Sequence, residues 1–232
     1  MSRNKEYLLV IDTETANGLT DALPYDIGYA ICDRQGNIYK TRSFVVADVF
    51  CDMTDIMKTA YYAEKIPRYW EDIRNGKREL KTFFNIRKEI IEDMKDYKIK
   101  RVGAYNMGFD KRATNNLIRY ITKSRFRWFF PFGTKFFCIW HMACQTVLNT
   151  KKYIRFAESN NLVSEANNIQ TSAESCYKYL THNAEFAESH TGLEDVLIEV
   201  DIMAACYKTH LKMDTAIKPN CWRIPQKKRV LN

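Results

Sequence analysis

Residues 7–15 read YLLVIDTET. Five consecutive apolar residues, Tyr7 to Ile11, end abruptly at two acids, Asp12 and Glu14. A short continuous run rich in β-forming residues and closed by charge predicts a buried central strand. Side chains at i and i+2 of a strand point to the same face, so Asp12 and Glu14 are aimed together at the carboxyl edge of that strand. Holding two like charges there costs several kcal/mol unless something compensates, and a divalent cation is the usual compensator.

Outward from this strand, residues 26–32 and 38–46 are further strand-like runs. The intervening Asp33-Arg34-Gln35-Gly36-Asn37 has the composition of a hairpin turn. The period then changes: Leu80, Phe83, Phe84, Ile90, Ile91 and Met94 recur at helical spacing. Residues 99–105 predict a strand that ends at Asn106 and Gly108. A helix follows, with Phe109, Ala113, Leu117 and Ile121 on its buried face. Residues 135–139 (KFFCI) predict a fifth strand, followed by a helix through Leu148. Short helices fit 154–162 and 171–180. Leu193, Val196, Leu197, Val200, Met203, Ala204, Tyr207 and Leu211 trace one stripe of a last helix. The order predicts an α/β fold: a mixed five-stranded sheet flanked by helices, in one domain over residues 1–214.

The chain has 232 residues, with Lys+Arg 36 against Asp+Glu 28 and a net charge of +8, which favours a polyanionic partner. Much of the excess lies near the end: Lys218, Arg223, Lys227, Lys228 and Arg229 face no acid after Asp214. Residues 215–232 therefore read as a basic C-terminal tail, either an electrostatic tether to nucleic acid or a solvated end. No apolar run approaches about 18 residues, so no membrane span is expected. The start, MSRNKEYLLVIDTET, lacks the form of a secretory signal. Seven cysteines, an odd number with no C-x-x-C pair, do not suggest a disulfide framework or a cysteine zinc site. A reduced, cytoplasmic protein is expected.

Two more segments carry acids at element ends. Asp110, in Tyr105-Asn106-Met107-Gly108-Phe109-Asp110, falls in the first turn of a helix after a buried strand. In His190-Thr191-Gly192-Leu193-Glu194-Asp195, Thr191 and Glu194 have capping-box spacing. That makes Thr191 the N-cap and puts His190 and Asp195 at the two positions that touch in a hydrophobic staple. Taken singly, each segment has a structural reading: acids that open a loop, a helix-dipole acid, a surface His–Asp pair on a capped helix. Together, acids at one edge of a sheet suit two hard divalent cations, Mg2+ or Mn2+, about 3.5–4 Å apart.

Asp12-x-Glu14, Asp110 in its N-x-x-F-D context, and His190-x4-Asp195 resemble, in order, the three motifs of the DEDDh 3′–5′ exonucleases. That family has the ribonuclease H-like fold and includes the epsilon-type proofreading subunits of bacterial replicative polymerases. A histidine five before Asp195, with Thr191 where the tyrosine branch has tyrosine, is similar to the histidine branch. The resemblance implies that Asp12, Glu14, Asp110 and Asp195 hold two divalent cations and that His190 is the general base. Water would then attack a phosphodiester in line and release nucleoside 5′-monophosphates, with single-stranded DNA as substrate and RNA or short oligoribonucleotides as the alternative. Thr13, Thr15, Asn106 and Phe109 fall where terminal nucleotides would be touched. Ala104 precedes Asn106 by two, and the family's frequent histidine is absent near this motif. A non-catalytic nucleic-acid-binding or polymerase-associated module is the reading from another class.

Two aromatic stretches have open roles. RFRWFFPFGTKFFCIW, residues 125–140, is either a stacking platform for an unpaired strand or core. Tyr61, Tyr62, Tyr69 and Trp70, interleaved with Lys65, Arg68 and Arg74, are an equally suitable substrate flank.

Overall fold

A computed structural model describes residues 5–230. Strands β1 (Leu8–Ala16), β2 (Leu23–Cys32) and β3 (Ile38–Val46) form an antiparallel meander. Asp33 fixes the β2–β3 turn by accepting the Gln35 and Asn37 amides, and Gly36 supplies the left-handed residue at φ 87°. Helices α1 (Ala47–Phe50), α2 (Thr54–Met57) and α3 (Ile66–Arg74) lead to β4 (Glu79–Lys81), and α4 (Phe83–Asp96) leads to β5 (Arg101–Ala104). Helix α5 (Met107–Thr122), β6 (Lys135–Cys138), α6 (Ile139–Gln145), α7 (Lys151–Ser159), α8 (Ala173–Thr181), α9 (Gly192–Lys208) and α10 (Arg223–Val230) complete the chain. The sheet runs β4-β3-β2-β1-β5-β6, with β5 parallel to β1, β6 parallel to β5 and β4 parallel to β3.

The sheet therefore has six strands where five were read. The addition, β4, is three residues of mixed charge at the edge, too short and polar to carry a period-2 signal.

Strand alternation divides the core into two layers. Leu9, Ile11, Ile27, Tyr29 and Phe44 face one side, packed with Ile86 and Ile90 of α4 and with Leu117 and Ile118 of α5. Leu8, Val10, Ala30 and Cys32 face the other, packed with Met142, Ala143, Cys176, Val196, Val200 and Met203. Period two places Asp12 and Glu14 in line with Leu8 and Val10, on the side that α9 covers.

Helix α9 is buried on more than the stripe read from sequence. Ile198, Ile202 and Cys206 are also buried, whereas Leu197 is exposed and Leu211 lies beyond the helix. The helix rests on β1 and β2 and is flanked by α6 and α8, so a one-face pattern cannot describe it. In α5 the buried face is carried by Met107, Asp110, Ala113, Thr114, Leu117 and Ile118 rather than by Phe109 and Ile121.

The segment set apart by its charge is folded onto the body. Thr215 O accepts the Cys138 amide, Ala216 O lies 2.9 Å from His141 Nδ1, and Cys221 is buried. Helix α10 packs on α6 and α7; its Gln226 side chain accepts the Ile169 amide and donates to the Ile169 carbonyl, and Arg229 pairs with Glu158. The stretch is basic in composition, but residues 215–229 are not a free end. Among the described residues, no helix is long and apolar enough to cross a membrane.

The start of α9 lies directly on β2. A Cβ on Gly28 would sit 2.2 Å from the Gly192 carbonyl carbon, and one on Gly192 would sit 2.7 Å from the Gly28 nitrogen. Backbone meets backbone there, so no side-chain rotation relieves an added methyl. Gly28→Ala should destabilise the protein by at least about 1–3 kcal/mol in urea unfolding, whereas Gly18→Ala, which meets nothing within 4 Å, should change it by less than about 0.5 kcal/mol. Equal effects at the two positions would contradict this packing.

Candidate active site

Carboxylate oxygens of Asp12, Glu14 and Asp195 lie within 4.8 Å of one another. Asp12 and Glu14 come from the middle and C-terminal half of β1, which runs on to Ala16 beyond the apolar run, and Asp195 descends from the first turn of α9. All-oxygen donors at that separation fit a hard divalent cation and do not favour a soft one. Asp110, in the first turn of α5, stands beside the group rather than inside it: its Oδ1 accepts both the Thr13 amide, at 3.1 Å, and the Thr13 hydroxyl, at 2.9 Å. Both polar groups of Thr13 thus orient Asp110. Thr15 is half-buried after a β-bulge, Asn106 is exposed as the N-cap of α5, and Phe109 is half-buried beneath the Arg112 guanidinium.

The electrostatics are those of a centre short of positive charge. Burial, followed by Glu199, Asp110, Glu14 and Asp195, raises the Asp12 carboxyl well above the ordinary carboxylate range. Burial and the charge of Asp26 push Glu14 up to about 8, with Lys65 opposing. Burial, then Glu188 and Glu14, pushes Asp195 up to about 8. Burial pushes Asp110 up to about 7 against the stabilising Thr13 hydroxyl.

Helix α9 is capped from the sheet. Thr191 is its N-cap, but the hydroxyl is paired with Ser189 Oγ and caps no amide. The Gly192 amide instead donates to Asp26 Oδ2 of β2 at 2.9 Å, and Arg78 Nη2 donates to both oxygens of Glu194. The capping box read from sequence is therefore not formed: the Thr191 hydroxyl pairs locally with Ser189, and Glu194 is taken by the distant Arg78. Asp26 is fully buried and also accepts from Tyr69 Oη at 2.7 Å and from Arg78 Nη1 at 3.2 Å. Arg78, only 3% exposed, further donates to Asp72 and Ser43.

His190 has a left-handed backbone, φ 49°. Its ring stacks on Tyr62 with centroids 4.5 Å apart, and Nδ1 lies 3.9 Å from Glu188. Its acidic neighbour is thus Glu188 rather than the Asp195 expected of a staple pair. Glu174, Glu188 and His190 form a second close group on this rim. Lys65 Nζ donates to the Ser189 carbonyl at 2.7 Å and lies over the Tyr62 ring. Burial and Lys65 together lower the His190 pKa.

The aromatic stretches divide. Tyr69 is buried against Asp26, while Tyr61, Tyr62, Lys65 and Trp70 remain near the surface. In 125–140, Phe129, Phe130 and Phe137 are core, and Phe126, Trp128 and Phe132 are exposed. Sequence reasoning missed Asp26, Arg78, Glu188 and Glu199. Only Glu199 carried a local signal: an acid one turn beyond Asp195, between Val196 and Val200 of an apolar stripe.

No protein-family model matches the sequence, and no curated protein matches it. Solved structures do. E. coli exonuclease I in complex with a dA16 oligonucleotide is similar at TM-score 0.54 and 12% identity, over 88% of this chain and 41% of that chain. Cell-death related nuclease 4 (CRN-4) is similar at TM-score 0.54 and 10% identity, over 91% of this chain and 67% of that one. A moderately thermophilic exonuclease I from Methylocaldum szegediense gives 0.52 and 14%, over 94% and 42%. The shared feature is the fold, a mixed sheet flanked by helices. The chain spans about two-fifths of the length of these exonuclease I chains.

The raised carboxyl pKa values have a measurable consequence without metal. These carboxyls hold protons in the fold that the unfolded state releases near pH 4, so the stability they contribute is fully present below that value and is lost as pH rises toward about 8, where Glu14 and Asp195 ionise in the fold. In EDTA, the Tm should fall between pH 6 and 8.5, and millimolar Mn2+ should abolish most of that fall. A Tm that rises with pH over this window in EDTA would contradict the mutual repulsion.

Proposed function

We propose that this chain is a divalent-cation-dependent 3′–5′ exonuclease that hydrolyses single-stranded DNA to nucleoside 5′-monophosphates. The observation that carries the reading is the meeting of the Asp12, Glu14 and Asp195 carboxylates at the C-terminal half of β1 and the start of α9, with Asp110 held by Thr13 of the same strand. Residues far apart in the chain supply a donor set suited to hard cations, and the order of motifs is that of the DEDDh nucleases. Kinship with proofreading subunits is part of the proposal and rests on those motifs. The shared fold with exonuclease I, one example of which holds a DNA oligonucleotide, supports a nucleic-acid substrate, as does the +8 charge.

In this reading, Asp12, Glu14, Asp110 and Asp195 hold two cations, Mg2+ or Mn2+. Such ions supply Lewis-acid charge for an in-line displacement at phosphorus. The chain's residues do the rest. His190, held below its usual pKa, is neutral near pH 7 and accepts the proton of the attacking water at its ring nitrogen Nε2, while Nδ1 is turned toward Glu188. Stacking on Tyr62 limits the ring's orientations. Thr13 keeps one Asp110 oxygen fixed. Lys65 and Arg112 supply positive charge near the rim, and Tyr61 and Trp70 offer exposed rings on which an unpaired base can stack.

A time course on strands labelled at the 5′ or 3′ end, with Mn2+ or EDTA, tests polarity and metal need together. Mononucleotides should appear first from the 3′ end and only with Mn2+. Asp12→Ala, Asp110→Ala and Asp195→Ala should each abolish release, and His190→Ala should slow it by about 10²–10⁴-fold while Mn2+ still binds. Near-normal rates in all three aspartate variants would refute the assignment. Matched DNA and RNA oligomers decide the substrate; faster RNA digestion would make the chain an exoribonuclease.

A further inference from the structure

Glu199 lies one turn beyond Asp195 on α9 and is 3% exposed. Its Oε2 has no hydrogen-bond partner, one of four buried side-chain polar atoms in that state among the described residues. A carboxylate this deep normally has a cation or a full set of donors, because desolvating an unpaired charge costs several kcal/mol. Here the Tyr105 amide, at the end of β5, favours the charged form, while Asp110, Asp195 and Glu188 oppose it. Glu199 is in turn the foremost charge acting on Asp12. Its neighbours along the helix, Val196, Val200 and Met203, are buried apolar residues, so the acid interrupts an otherwise apolar surface. A buried oxygen without a donor, amid four other acids, is explained when positive charge enters the centre.

We propose that Glu199 is a fifth acid of the cation centre, a positioning residue whose buried carboxyl, one turn beyond Asp195 and with Oε2 unpartnered, strengthens the hold on a divalent ion. It acts through the four outer carboxylates: its buried carboxyl adds to the cost of the ion-free centre, and positive charge entering the centre offsets that cost. The inference rests on the reading of Asp12, Glu14, Asp110 and Asp195 as that centre.

The test is calorimetric titration of the metal-free full chain with MnCl2, together with its Tm in EDTA, for wild type, Asp12→Asn, Glu199→Gln and Glu199→Leu. Wild type should bind Mn2+, and Asp12→Asn should weaken binding. Glu199→Gln should lower Mn2+ affinity by about 10–100-fold, the usual effect of losing a supporting group at a metal site. It should also raise the EDTA Tm or leave it unchanged, because like-charge repulsion is removed. Glu199→Leu removes the charge without leaving a buried amide to satisfy, and should show the same loss of affinity. If wild type binds no Mn2+, or binds it independently of Asp12, the cation centre itself falls. If binding depends on Asp12 but both Glu199 variants keep affinity within about twofold, only the role of Glu199 falls. A lower EDTA Tm in both variants with unchanged affinity identifies Glu199 as purely structural.

Discussion

The contact of α9 with β2 is the constraint on which the site depends. At Gly28 and Gly192 the two backbones touch without intervening side chains. A helix at ordinary distance from a sheet is held off by side chains, and Asp195 would then stand clear of Asp12 and Glu14. The glycine pair removes that spacer. Asp26 fastens the contact by taking the Gly192 amide, one of the orphan donors of the helix start.

That fastening places a fully buried carboxylate on β2. Arg78 and Tyr69 satisfy it, and Arg78 also holds Glu194 of α9 and Asp72 of α3. One guanidinium therefore ties β2, α3 and the start of α9 together, using the planar fork that lets arginine serve several carboxylates at once. The same arrangement sets the rim. Helix α3 and the residues before it bring Tyr62 and Lys65 against His190, whose left-handed backbone turns the chain into α9.

Charge is distributed with a purpose consistent with cation binding. Outside the site, buried acids have partners: Asp26 has Arg78, and Asp93 has Lys40 and Tyr29. Inside it, the Asp12, Glu14 and Asp195 carboxylates lie within 4.8 Å of one another, and Lys65 opposes Glu14 from the rim. A fold that pairs its other deep charges and leaves these mutually repelling has its stability tied to what enters the centre.

The sequence by itself determined the central strand and the aim of its acids, because strand alternation is local and YLLVIDTET is too apolar to be anything but buried. It also determined the meander, the helical start at Asp110 and the position of α9, through turn composition and periodicity. Tertiary structure alone decided that Glu194 caps nothing and pairs with Arg78, and that the basic C-terminal stretch docks through Cys221 and Gln226. It also decided that His190 stacks on Tyr62 and that Glu199 is buried. Arg78, Ile169 and Tyr62 lie far in the chain from the groups they meet, and periodicity reports which face is buried but not which distant group meets it there.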